Sequence, residues 1–236
     1  MKTKIVTYTW NITAIRMLKI GCMAVPHSVA VMSKYNKIKQ FLVIIFILFQ
    51  LDSFAQADIK NYNFKHKIIE VTGDLNKDSL PDKVSVTQDT LSENAPYRLQ
   101  IFFKDSNGQF KLIVTSIKII EPQYPDGRNQ YDNGNGFSDV TIKNGVLSVN
   151  FELLRGHYEH KFRFQNGNFE LVGFSEVSSD GHNIGETIDF NLSTGIRIEK
   201  SERYDNDKII SHKKRKILIR PLPKLQDVVP MENELY

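Results

Sequence analysis

Beyond residue 57 the sequence never sustains the apolar period of an amphipathic helix. Short runs of alternating apolar and polar residues recur instead, each closed by a turn signal. This pattern points to antiparallel β structure, because successive strand side chains face opposite ways and an Asn-Gly connection needs positive φ at both residues. Asn tolerates that region and Gly enters it at no steric cost. Tyr158–Phe164 and Phe169–Phe174 flank Asn166-Gly167, and Val140–Ile142 and Val146–Leu153 flank Lys143-Asn144-Gly145. Tyr97–Lys104 and Gln109–Ile119 flank Asp105-Ser106-Asn107-Gly108. Thr187–Leu192, Ile196–Arg203 and Lys208–Ile219 form a meander around Ser193-Thr194-Gly195 and Asp205-Asn206-Asp207. With Lys67–Thr72 and Lys83–Thr87 they make about ten strands.

The expected fold is therefore all-β. It is a single domain over residues 58–220, built of antiparallel hairpins and a meander, as a sandwich or a curved, open-barrel-like sheet. No self-similar period of 20–50 residues recurs, so a full propeller is not expected. Alternation assigns the core to Leu99, Ile101, Phe103, Leu112, Val114, Ile142, Leu147, Val149, Phe151, Phe162, Phe164, Phe169 and Leu171. Residues 221–236 carry three prolines and no alternation, so a surface or disordered tail is expected.

The first 57 residues are of another kind. Ser33–Lys39 is basic, Phe41–Leu51 is apolar, and Ala55-Gln56-Ala57 closes a small-residue segment. This is the layout of a secretory signal peptide over 32–57, cleaved after Ala57. The apolar run of 11 residues is about half of what a spanning helix needs. No Cys follows it, so a lipoprotein anchor is excluded. Residues 1–31 exceed the usual basic region, which makes Met32 the expected start and 1–31 an upstream extension. This leader holds 7 of the 31 Lys and Arg but 1 of the 27 Asp and Glu. Residues 58–236 thus carry 24 basic and 26 acidic residues, and the net charge of +4 becomes −2 there. A basic nucleic-acid surface is not implied. Trp10 and Cys22, the sole Trp and Cys, also fall in the leader, so disulfides and thiol chemistry are excluded beyond it.

One motif carries ion chemistry. Asp74, Asn76, Asp78 and Asp82 stand at positions 1, 3, 5 and 9 of a short loop, and Leu80 at position 7 offers a backbone carbonyl. A hard cation such as Ca2+ takes six to eight oxygens, and a tightly wound loop aims alternate side chains inward. Ser79 stands at position 6, where Gly eases the turn, and Ser85 at position 12, where a Glu completes many such sites. Gly73–Val84 resembles the D-x-N-x-D-G-x-x-D loop of FG-GAP and VCBS-type repeats. There the loop binds calcium and leads into a strand. The order of elements over Gly73–Phe174 resembles secreted, uncharacterised bacterial β-rich proteins with a single such loop. That resemblance implies structural calcium and no assigned activity.

Among the other candidates, Glu121–Gly136 is a long irregular segment. Its Tyr124, Asp126, Arg128, Tyr131 and Asp132 suit a protein or glycan partner by stacking and charged hydrogen bonds. His157 and His160 are the only clustered histidines; on a strand they point to opposite faces, so a solvated strand end is expected rather than a zinc site. Lys213–Lys216 reads as a charged edge strand. No G-x-S-x-G elbow, P-loop or H-E-x-x-H occurs, and no acidic pair, Glu152 and Glu159 included, stands out for hydrolysis. The chain is therefore expected to be a secreted or periplasmic, non-catalytic, monomeric binding module with a structural calcium loop. It would meet the membrane only through its signal peptide. A periplasmic hydrolase acting on glycans or peptides, and an inhibitor or immunity-type partner protein, are the alternatives.

Overall fold

The computed structural model describes residues 62–129 and 136–230; the leader, Tyr131 and Asp132 lie outside them. Eleven antiparallel strands form two sheets, and no described residue is helical. The first sheet is β1 (His66–Gly73), β2 (Asp82–Gln88), β3 (Tyr97–Lys104) and β4 (Phe110–Ser116), in that order. The second runs from β5 (Gly136–Lys143) through β6 (Val146–Leu153), β7 (Gly156–Gln165), β8 (Asn168–Ser179), β9 (Ile184–Asn191) and β10 (Ile196–Arg203) to β11 (Ile209–Lys216). Each strand pairs with its neighbour in sequence, so both sheets are plain meanders, and neither closes into a barrel.

The turns explain this regularity. Asn144 and Asn166 have φ of 53°, and Gly145 and Gly167 have φ of 73° and 74°, as two-residue primed turns require. The Asp105–Gly108 connection differs: only Gly108 has positive φ, and its N–H bonds the Asp105 carbonyl at 2.9 Å. That is a three-residue hairpin loop with glycine in the left-handed position.

Both sheets contribute to one core. Val84, Val86, Leu99 and Ile101 come from the first, and Leu147, Val149, Phe151, Phe162, Phe169, Leu171 and Phe190 from the second. Phe103 packs edge-on against Phe164 at 4.9 Å between ring centroids, joining β3 to β7. Each fully buried Phe contributes on the order of 1.5–3 kcal/mol.

Two expectations fail. Leu112 is exposed, because β4 is bulged at Ile113: Ile101 pairs with Val114 but Phe102 pairs with Leu112. The extra residue reverses the phase, so Val114 packs against the core while Leu112 joins Phe102 on the outer face. Residues 221–230 are no surface tail. Leu222, Leu225 and Val228 are buried, and the main chain pairs with β8 through Leu171 N–H to Pro223 O at 2.8 Å and Leu225 N–H to Phe169 O at 2.9 Å. The prolines removed the strand signal, but an apolar residue every third position supplies the burial.

Candidate metal centre

The connection from β1 to β2 is wound by its own side chains. Asp74 accepts the N–H of Lys77 on Oδ1 at 2.6 Å and that of Ser79 on Oδ2 at 2.9 Å. Asn76 Oδ1 accepts from Asp78 N–H at 3.0 Å, and Asp78 Oδ1 accepts from Leu80 N–H at 2.8 Å. These local bonds offset the cost of placing Lys77 (φ 67°) and Ser79 (φ 68°) in the left-handed region. Ser79 thus adopts the backbone conformation that a glycine would take at the sixth position.

Asp82 anchors the loop from beneath. It is fully buried, as is Leu75 beside it. Its Oδ2 accepts from Leu75 N–H at 2.9 Å and its Oδ1 from Lys104 N–H at 3.0 Å, which ties the loop to the end of β3. Burial lifts its carboxyl above the usual 3.8, against the pull of the Leu75 and Lys104 amides, and the charge of Asp78 adds to the lift. No ion pair from a described residue compensates it.

The donor chemistry fits a hard cation: three carboxylates, one side-chain amide and a carbonyl, with no nitrogen or sulfur ligand. Each carboxylate oxygen has two lone-pair sites, so one amide bond does not exhaust it. As they stand, however, Asp74 and Asp78 serve the loop's own backbone, and no group of three or more His, Cys, Asp or Glu among the described residues converges on one point. Ion binding requires these two carboxylates to turn inward while the backbone keeps its winding.

Elsewhere the structure divides the other candidates. Arg128 is turned onto the chain itself: its Nη2 donates to Thr90 O at 2.6 Å and Ser92 O at 3.2 Å, and its guanidinium lies 5.0 Å from the Tyr124 ring centre. Tyr124 N–H bonds Asn94 O at 3.0 Å, so residues 121–128 are fastened to the 89–95 loop. That loop is capped by Asp89. Burial opposes its ionisation, but the Ser92 hydroxyl and the amides of Asn63, Leu91 and Ser92 hold its pKa at about 2. Asp126 is exposed beside this clamp.

On β7, His157 is exposed and His160 is buried on the opposite face. His160 is therefore a core residue, ringed by Phe151, Tyr158, Phe162 and Phe174 with centroids 5.3–6.5 Å away. Burial depresses its pKa to about 4. Glu159 shares the outer face with His157 and accepts from Ser175 Oγ at 2.8 Å and Lys161 Nζ at 2.5 Å. Burial works against its ionisation, yet these donors hold its pKa below the usual value, which suits a fixed anion rather than a proton donor.

A further cavity, of about 240 Å³, opens on the outer face of the second sheet beside a bulge at Val172. Spacing gave no sign of it, because a bulge leaves no mark in an alternation pattern.

Compared with known proteins, the chain matches no family model, no curated protein and no solved structure.

Proposed function

We propose that the chain is an exported, non-catalytic β module that recognises a protein or glycan, and that its loop Asp74–Asp82 takes one Ca2+ as a structural clamp. The observation that carries the calcium reading is the pairing of a wound loop, with Ser79 at positive φ, and a buried, uncompensated Asp82 beneath it. A cation held by Asp74, Asn76, Asp78, Asp82 and the Leu80 carbonyl would neutralise that charge and fix the entry of the chain into β2. Export rests on the leader at 32–57.

Extracellular modules hold calcium with dissociation constants of about 10⁻⁴–10⁻³ M, so a few millimolar calcium would stabilise by roughly 1–2 kcal/mol. For a domain of this size that is a rise of about 2–8 °C in Tm. Thermal unfolding in EDTA, calcium and magnesium tests it, with Asp78→Ala beside the parent. A calcium-specific rise absent from the variant supports the reading. Equal midpoints in calcium and EDTA would reduce the loop to a hydrogen-bonded turn.

A further inference from the structure

The cavity on the outer face of the second sheet has the groups of a ligand site. The bulge at Val172 shifts the pairing so that Phe162 meets Leu171 while Lys161 meets Gly173, and Gly173 in turn meets Asn191 on β9. Lys161, Gly173 and Asn191 thus stand in one row across three strands. Gly173 makes room for the Lys161 stem, which lies across it: a Cβ there would lie 3.2 Å from Lys161 Cδ and 3.3 Å from Lys161 Cβ. Arg163, two residues along β7, and Asp189, two residues back on β9, line the same hollow, as does Ser193.

The charges there are only partly spent. Lys161 is paired with Glu159. Arg163 faces Glu170 across the β7–β8 ladder, but Glu170 is taken by Gln165 Nε2 at 2.6 Å and Asn166 Nδ2 at 3.4 Å. Among the described residues the Arg163 guanidinium makes no hydrogen bond or ion pair. Asn191 Oδ1 accepts from Thr194 N–H at 3.0 Å, which orients the amide and leaves its Nδ2 as a donor. Asp189 adds an exposed acceptor two residues away. The hollow therefore offers a planar cation for an anionic group, flanked by one donor and one acceptor suited to hydroxyls. Its volume falls below the roughly 300–1,000 Å³ of sites for drug-sized ligands, which limits it to one small molecule or the end unit of a chain.

We propose that this hollow binds a small hydroxylated carboxylate of the sugar-acid class, with Arg163 on the carboxylate and Asn191 and Asp189 on neighbouring hydroxyls. The assignment rests on the reading of the chain as a recognition module and is independent of the calcium loop. Lys161, its stem seated over Gly173 and its ammonium paired with Glu159, adds a second positive charge at the rim.

Amide NMR of the purified, isotope-labelled protein in EDTA tests it, with sodium glucuronate as probe and glucose, acetate and inorganic phosphate as comparisons. Glucuronate is expected to shift the amides of Gly173 and Asn191 with a dissociation constant on the order of 1 mM. Glucose and acetate should each bind about tenfold or more weakly, since each lacks half of the recognised groups. Arg163→Gln should weaken glucuronate by about tenfold while the spectrum keeps its dispersion. Gly173→Ala, with φ outside the left-handed region, should fold, and by displacing the Lys161 stem into the hollow it should lower affinity. Unchanged amides with glucuronate, equal affinity in Arg163→Gln, or phosphate binding as tightly as glucuronate would each overturn the assignment. Running the titration in EDTA separates its failure from that of the calcium reading.

Discussion

Acidification from pH 7.5 to 5 should remove about 2 kcal/mol of stability through His160 alone. The side chain is fully buried among four aromatic rings, and Val149 of β6 and Phe174 of β8 flank it across the sheet. Its pKa falls from 6.5 to about 4 on folding. The unfolded chain takes up a proton as pH drops through 6.5, whereas the folded one does not until near 4. Stability from this residue is therefore complete above about pH 6.5 and lost progressively toward 4, at a limiting slope of about 1.4 kcal/mol per pH unit. The full window is worth roughly 3 kcal/mol. Urea unfolding followed by far-UV circular dichroism measures it, because Trp10 gives no probe within the domain. With m of about 2 kcal/mol per M, the midpoint should drop by about 1 M between pH 7.5 and 5. His160→Phe cannot titrate and keeps an aromatic ring in the box. Its stability should change less over the same interval, by about 2 kcal/mol. Other titrating groups are common to both proteins and cancel in the comparison. Parallel pH profiles for the two would refute the argument.

Four further outcomes follow from the fold. Asp82→Ala removes the acceptor for two N–H groups beneath the loop and should cost about 2–5 kcal/mol by urea unfolding. Because folding favours the protonated Asp82, stability declines as pH climbs from 3.8 through its raised folded pKa, and stabilisation by calcium should grow over that interval in a Tm series. Leu225→Ala should cost about 2–5 kcal/mol, as for any fully buried leucine, whereas a loose tail predicts no change. Gly156→Ala should disrupt the β7–β8 ladder, since φ is 147° and the new Cβ would meet Val177 O at 2.0 Å; circular dichroism and protease sensitivity will report it.

How much of this was legible in the sequence depends on how locally each feature is determined. The Asn-Gly turns act within four residues, so the hairpins at Asn144 and Asn166 could be placed from the local sequence alone. Leu112 could not, because a bulge at Ile113 arises from the fit of β4 to β3 rather than from β4 itself. The tail was misjudged for a similar reason: Pro221 and Pro223 remove donors, but β8 needs only the Pro223 carbonyl and the Leu225 amide. The strand end carrying His157 and His160 was expected to be solvated, which holds for His157, but His160 alternates onto the core face and is fully buried. Arg128 looked free to meet a partner, and its bonds to Thr90 and Ser92 depend on a loop more than thirty residues earlier. The oxygen spacing at 74, 76, 78 and 82 was plain, while the turning of those side chains onto their own backbone was not.

The pairing of Leu225 with Phe169 bears on when the domain can close. Both meanders are built from neighbours in sequence, so each strand finds its partner as soon as it is made. The core, however, lacks Leu222, Leu225 and Val228 until residue 228 has left the ribosome. A growing chain can zip hairpins early but cannot lock them, so its apolar faces stay reachable for a holding chaperone. For a protein proposed to be threaded unfolded through a membrane pore, late closure keeps the chain fit for translocation, and the lock engages on the far side.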